Sequence, residues 1–389
     1  MQPSPAAGAE SILIVDDTAA NLKLLSQILA EQGYAVRAAT SGARALESAR
    51  VTPPHLVLLD IRMPEMDGFE VCTRLKADAQ TREIPVLFIS ALDDVQDKVR
   101  GFSVGGIDYI TKPFQAEEVL ARVGAHLTLR RLKRQLEEAN RRYQQELALA
   151  GSLQRSFLQH PVPSLPGWQV ATAFRPARET SGDFYGVFQL PGDRLGIVVG
   201  DVVDKGAAAA LFMALSWSLL RTFTLEFPDD PARALTATNA RILTDTDGSR
   251  FVTVFLASLD PRSGRLVYGN AGHNPGLILR DATAAEPESL ARTGRMLGMF
   301  PDDRWEAGVT ELGAGDTLVL YTDGVTEACT ESGDLFGTER LLASIRRVPG
   351  ASPEDVVRRV LKDVEDHLHG SPQPDDIALV AIQRQGLQA

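Results

Sequence analysis

Asp16 and Asp17 close a short apolar run, Ile12–Val15, and Asp60 closes another, Leu56–Leu59. Ser90 follows Val86–Ile89, and Lys112 comes soon after Tyr109–Ile110. If these runs are parallel strands of one sheet, their C-terminal ends converge on one crevice and residues far apart in sequence become neighbours. Carboxylates gathered there repel one another, and a hard divalent cation such as Mg²⁺ relieves that repulsion while keeping most of its waters. The same cation holds phosphoryl oxygens for in-line transfer. Asp60 is then the phosphoacceptor, with Asp16, Asp17 and Asp60 itself as Mg²⁺ ligands. Lys112 sets a positive charge on the phosphoryl group, and Ser90 supplies a hydroxyl that reorients toward it. Taken singly, each is an ordinary loop-starting Asp or strand-ending Lys-Pro. Only the set carries the chemistry.

A second set lies in the C-terminal half: Asp183 in SGDFYG, Asp201 in GDVVDKG, Asp323 in YTDGVTEA, and Asp375 with Asp376 in PDDIAL. Each sits at the edge of a strand-like run, and Gly182, Gly200 and Gly324 stand beside the first three. Glycine lets backbone approach closely, so carboxylates with such neighbours can crowd round a pair of metal ions. Water held by two such ions becomes acidic enough to supply hydroxide near neutral pH, and no Ser–His–Asp or Cys–His set is then required. Read one at a time, the same residues are surface turn formers.

The elements that must position these groups fall into three stretches. From Ser11 to about Arg122, the runs Ile12–Val15, Ala35–Ala39, Leu56–Leu59, Val86–Ile89 and Tyr109–Ile110 alternate with amphipathic segments. That pattern predicts a five-stranded, doubly wound parallel α/β sheet. Next, Leu129, Leu136, Tyr143, Ala150 and Phe157 recur every seven residues, with Leu132, Ala139 and Leu153 between them and Glu146 as the one break. Mixed charges flank this stripe on both sides, which favours the seam of a coiled-coil homodimer over a lone helix lying on a domain. Pro161, Pro163 and Pro166 then stop the helix. From Trp168 onward strand-like runs follow one another directly (Gln169–Phe174, Leu195–Val199, Phe251–Leu259, Leu266–Tyr268, Thr317–Tyr321, Ile377–Ile382). Helical patterns occupy Ala207–Phe223, Pro231–Leu243 and Pro353–Leu368, so the expectation is an α+β layered domain.

The first stretch resembles the response-regulator receiver domain through IVDD (14–17), LLDIRMPEMDG (58–68), FISA (88–91) and GGIDYITKPF (105–114). The resemblance implies phosphorylation of Asp60 by a sensor histidine kinase, with Tyr109 as the aromatic switch residue alongside Ser90 and Lys112. The third stretch resembles the sporulation-type branch of the PPM serine/threonine phosphatases, an αββα sandwich. The matching pieces are SGDFY (181–185), VVGDVVDKGAAAALFMA (198–214), NAGHNPGL (270–277), GDTLVLYTDGVTEA (315–328), LFG (335–337) and PDDIALV (374–380). It implies two Mn²⁺ or Mg²⁺ ions held by Asp183, Asp201, Asp323 and Asp375, with a backbone carbonyl from Val202. Asp376 is a candidate accessory residue, and His273 either protonates a leaving group or holds backbone in place.

The chain departs from the family pattern in three places. Gly186 replaces a frequent acidic residue, Val203–Asp204 replace Ser-Gly, and Ala378 replaces Thr. The implied whole is a response regulator: a receiver at 10–126, a helical coiled-coil linker at 127–160 and a phosphatase domain at 161–385. Its implied substrate is a phosphorylated anti-sigma factor antagonist, and the competing reading is a phosphatase-like adaptor that binds a partner without catalysis.

Composition agrees with this division. A chain of 389 residues predicts about two or three domains. A net charge of −11 and the lack of a basic recognition helix disfavour direct nucleic-acid binding. The longest apolar stretch, Gly206–Leu220, carries Ser216 and Ser218 and is short for a membrane span. With no basic lead-in before Ile12, the expectation is a cytoplasmic protein without a membrane partner. Cys72 and Cys329 stand far apart and read as packed thiols.

Overall fold

The computed structural model describes residues 9–91, 95–158, 161–280, 286–346 and 351–386, which form two units meeting at Arg141/Arg142. The first unit runs β1 (Ser11–Val15), α1 (Ala19–Ala30), β2 (Ala35–Ala39), α2 (Gly42–Val51), β3 (Leu56–Asp60), α3 (Gly68–Ala77), β4 (Val86–Ala91), α4 (Val95–Ser103), β5 (Asp108–Lys112) and the start of α5 (Ala116–Leu158). Its sheet is wholly parallel in the order β2-β1-β3-β4-β5. Successive strand residues point to opposite faces, and both faces are apolar. Leu13, Val15, Val57, Leu59 and Phe88 meet α2 and α3, whereas Ile12, Ile14, Leu56, Leu58 and Ile110 meet α1 and the first turns of α5. The doubly wound sheet expected from the alternating pattern is therefore present.

The second unit continues with β6 (Trp168–Arg175), β7 (Phe184–Leu190), β8 (Arg194–Val202), α6 (Ala207–Glu226), α7 (Pro231–Asp245), β9 (Val252–Leu259), β10 (Arg265–Ala271), β11 (Gly276–Leu279) and β12 (Glu288–Leu290). It closes with β13 (Gly308–Glu311), β14 (Thr317–Tyr321), α8 (Asp323–Thr326), α9 (Gly337–Arg346), α10 (Pro353–Leu368) and β15 (Ile377–Arg384). Two antiparallel sheets result, in the orders β13-β10-β9-β8-β7 and β12-β11-β14-β15-β6.

Period-two alternation assigns each side chain to a layer. On β15, Ala378, Val380 and Ile382 face the space between the sheets, where they meet Ile197, Val199, Phe255 and Leu320. Ile377, Leu379 and Ala381 face α9 and α10. On the far side, Phe184, Val198 and Leu256 pack under α6 and α7. The layers are helix, sheet, sheet, helix.

Residues 116–158 form one helix, which runs from the receiver sheet through 126/127 into the expected linker. Leu129, Leu132, Leu136, Tyr143, Leu153 and Phe157 are all exposed along it, Leu136 at 71%. Helix α6 extends to Glu226 and is long and apolar enough to cross a membrane by length and composition. Its Phe212, Met213, Trp217 and Leu220 are nevertheless committed to the core beneath it.

Candidate functional sites in the two units

In the first unit the C-terminal strand ends deliver the expected crevice. Asp16 and Asp60 are buried, Asp17 is exposed, and one carboxylate oxygen from each lies within 4.8 Å of the others. Asp16 is held by its neighbours: Oδ1 accepts the Thr18 N–H at 2.8 Å, and the Asn21 amide reaches both oxygens at 3.1 and 3.0 Å. Lys112 Nζ bridges Asp16 Oδ2 at 3.0 Å and Asp60 Oδ2 at 2.8 Å. Burial pushes the Asp60 carboxyl above its usual range, with Lys112 opposing. The Ser90 hydroxyl is buried without a hydrogen-bond partner, one residue beyond Ile89, the β4 partner of Asp60. Tyr109 is turned inward against Phe88 and Phe102, and its hydroxyl donates to the Lys98 carbonyl at 2.5 Å. This carboxylate set, with one cation already present, fits a hydrated Mg²⁺.

In the second unit all four singled-out aspartates occupy one end of the double sheet. Asp183 immediately precedes β7, and Asp201 lies near the end of antiparallel β8, next to the Phe184–Gly200 pair. Asp323 follows β14 and Asp375 precedes its antiparallel neighbour β15. The two sheets are tied at this end by Asp376, whose Oδ1 accepts the Ala177 N–H at 2.7 Å and whose Oδ2 accepts the Gly182 N–H at 3.1 Å. The Val202 carbonyl faces the same spot, 3.0 Å from where a Cβ on Gly182 would stand.

Electrostatics show a cluster short of positive charge. Burial, and then the charge of Asp201, pushes the Asp183 carboxyl well up. Burial raises Asp201 to about 7 with Asp323 adding, and raises Asp323 to about 6 with Glu327 and Asp375 adding. Asp183 Oδ2 is buried and has no partner. The nearest cation in the cluster is Lys205, whose Nζ sits 3.0 Å from Asp375 Oδ2 and 3.0 Å from the Pro374 carbonyl. A buried Asp183 with an orphaned oxygen, beside half-buried and under-neutralised Asp201, Asp323 and Asp375, fits oxygen-seeking divalent ions.

Several residues acquire roles that the sequence left open. Asp376 has both oxygens engaged by backbone N–H groups and acts as a staple between loops. His273 is buried behind Thr253, the β9 partner of Asp201, and its Nδ1 lies 2.8 Å from the Thr253 hydroxyl. Burial lowers its pKa to about 4, and its backbone N–H donates to Asn270 Oδ1 at 2.8 Å. The departures from the family pattern also have local causes. A Cβ on Gly186 would come within 1.9 Å of the Trp217 ring, which fills the space an acidic side chain would need. Asp204 adopts φ +76°, the left-handed backbone where Gly is usual and which Asp tolerates better than most residues. Gln154 and Lys205 were not singled out as site residues by the sequence.

A doubly wound sheet with an acidic crevice at its strand ends, followed by an αββα sandwich with aspartates at one end, defines a receiver joined to a PPM-type phosphatase domain. Residues 191–385 match the family described as Stage II sporulation protein E (SpoIIE), to which this chain belongs, and residues 12–124 match the response regulator receiver domain. The chain is 35% identical to Protein IcfG of Synechocystis sp. over 61% of its own length and 41% of that protein's, so it spans less than half of that relative. It is 28% identical to Phosphoserine phosphatase RsbU of Bacillus subtilis over 67% of its length and 74% of RsbU's. The structure of the RsbU and RsbW domains of Rv1364c from Mycobacterium tuberculosis aligns with a TM-score of 0.50 at 29% identity, covering 58% of this chain and 62% of that one.

Proposed function

We propose that this protein is a phosphorylation-controlled, metal-dependent protein serine/threonine phosphatase. The receiver spans 10–126, the linker 127–160 and the catalytic domain 161–385. The observation that carries the reading is the gathering of Asp183, Asp201, Asp323 and Asp375 at one end of the double sheet, with a buried carboxylate oxygen left unpartnered. These four residues and the Val202 carbonyl hold two Mn²⁺ or Mg²⁺ ions. When bound, such ions acidify water for attack on phosphorus and offset charge on the phosphoryl oxygens. Lys205, beside Asp375, adds a cation that attracts the incoming phosphate. Asp376 fixes the loop that presents Asp183.

In the receiver, a sensor histidine kinase supplies the phosphoryl group to Asp60, with Asp16, Asp17 and Asp60 around Mg²⁺ and Lys112, Ser90 and Tyr109 responding to the modification. The exposed seven-residue stripe on α5 seats a second copy of this chain, because that spacing keeps an apolar seam facing a partner helix. The substrate proposed is a phosphorylated anti-sigma factor antagonist, the compartment the cytoplasm; likeness to the phosphoserine phosphatase RsbU supports the phosphoprotein class.

The test is Mn²⁺-dependent release of phosphate from a phosphoserine protein by the full chain, with and without acyl-phosphate treatment of the receiver. No divalent-dependent release in either state, with partner binding retained, would replace this reading with the adaptor. Sedimentation at micromolar concentration tests the dimer, and a monomer in both states rejects it.

A further inference from the structure

The last turns of α5 do more than connect two domains. Gln154 is 7% exposed and its amide clamps the backbone of Ser181 from both sides: Nε2 donates to the Ser181 carbonyl at 2.5 Å, and Oε1 accepts the Ser181 N–H at 2.9 Å. Ser181 passes the constraint on, since its Oγ accepts the Asp183 N–H at 3.0 Å. One turn earlier, a Cβ on Gly151 would lie 1.7 Å from the Glu179 carbonyl oxygen, so the helix runs flush against the same loop. One turn later, Leu158 enters the core that contains Phe184 and Trp217. Residues 151, 154 and 158 share a face at helical spacing. Leu149, Leu153 and Phe157, toward the seam, are exposed.

We propose that Gln154 is a positioning residue for the metal centre, and that docking of the 151–158 face of α5 holds the Asp183 loop in its ion-binding shape. The inference rests on the phosphatase reading and names where regulation enters it. Each residue turns the helix by about 100°, so a rotation of one residue's worth carries Gln154 off Ser181 and leaves Asp183 tethered chiefly through Asp376. The seam positions Leu149, Leu153 and Phe157 and the loop contact of Gln154 lie on the same turns of α5. A signal that changes the helix therefore changes ion affinity, and bound ions must stabilise helix docking in return.

The experiment uses the full chain in an Asp16→Asn/Asp17→Asn background, which disables the receiver's cation site, and follows Mn²⁺ binding by the paramagnetic resonance of free Mn²⁺. Gln154→Leu, which keeps the volume and loses the amide, and Gly151→Ala, which wedges helix from loop, each weaken Mn²⁺ by roughly tenfold, within the usual range of coupling. Ser152→Ala, at an exposed position on the same turn, leaves it unchanged. Folded Gln154→Leu protein that binds Mn²⁺ as tightly as its parent overturns the inference and leaves the phosphatase reading intact. A parent no better at binding than Asp183→Asn overturns the reading itself. Hydrogen exchange on the parent covers the case of variants that do not fold. Mn²⁺ should slow exchange across 150–158 as well as at Ser181–Gly182, and slowing confined to the loop rejects the coupling.

Discussion

The Asp376 carboxylate accepts the backbone N–H of Gly182 at 3.1 Å across 194 positions of sequence, and with its other oxygen it holds Ala177. Its neighbour Asp375 meets Lys205 instead. Adjacent aspartates thus do different work. Asp376→Ala leaves two N–H groups without acceptors and should cost about 2 to 4 kcal/mol of stability. Asp375→Asn should weaken Mn²⁺ binding while lowering the melting temperature little. Thermal melts with and without Mn²⁺ separate the two, and equal behaviour of the variants would refute the division.

Ion binding to the folded state alone raises stability by mass action, about 2.7 kcal/mol at a hundredfold excess over Kd. Mn²⁺ should raise the melting temperature of the wild type, and EDTA should reverse the rise. Asp201→Ala and Asp323→Ala should lower kcat at least about a hundredfold with substrate affinity changed only a few-fold, because the ions act chiefly on the transition state. Wild-type kcat in both variants contradicts the ligand assignment.

His273 gives a pH dependence with a defined sign. Its folded pKa of about 4 lies below the ordinary value of 6.5, so the unfolded chain binds the extra proton first. Its contribution to stability is complete above pH 6.5 and is lost as pH falls toward 4. Between pH 7.5 and pH 5 the loss is about 2 kcal/mol. Denaturant titrations at the two pH values should show this difference in the wild type, and His273→Gln should flatten it by that amount. An unchanged slope in the variant assigns the pH dependence to other groups.

Asp60→Asn should abolish Mg²⁺-dependent incorporation from a small acyl phosphate. Lys112→Ala should leave Asp60 modifiable at a reduced rate, since the lysine bridges Asp60 and Asp16 without being the acceptor. Intact-mass measurement reads both, and undiminished yield in Asp60→Asn defeats the assignment.

Much of this was legible in sequence because strand ends and turn glycines punctuate it. Helix α10 runs Pro353–Leu368 as its pattern indicates, and the aspartates at the edges of β7, β8, β14 and β15 lie at one end of the double sheet. Strand β7 was not read, because its FYGVFQL is apolar on both faces and lacks the alternation that marks a half-buried strand. Short β12 and β13 lie at sheet edges, where little hydrophobic pattern is needed. The roles of Asp376 and Gln154 depend on backbone groups brought close from far along the chain. No local spacing encodes such partners.

Gly186→Asp should destabilise the second unit by about 3 kcal/mol or more, since a side chain there collides with the Trp217 ring and adds a buried charge. Trp217→Ala in the same molecule should recover part of that loss. No interaction between the two changes, measured by a double-mutant cycle, would show that the ring does not occupy the acid's space.

That same packing bears on the substitutions open to this protein. An acid cannot be accommodated at position 186 by one substitution while the indole stays, and shrinking the indole first opens a cavity under α6. Each single step costs stability, so an acid at position 186 requires the two positions to change together.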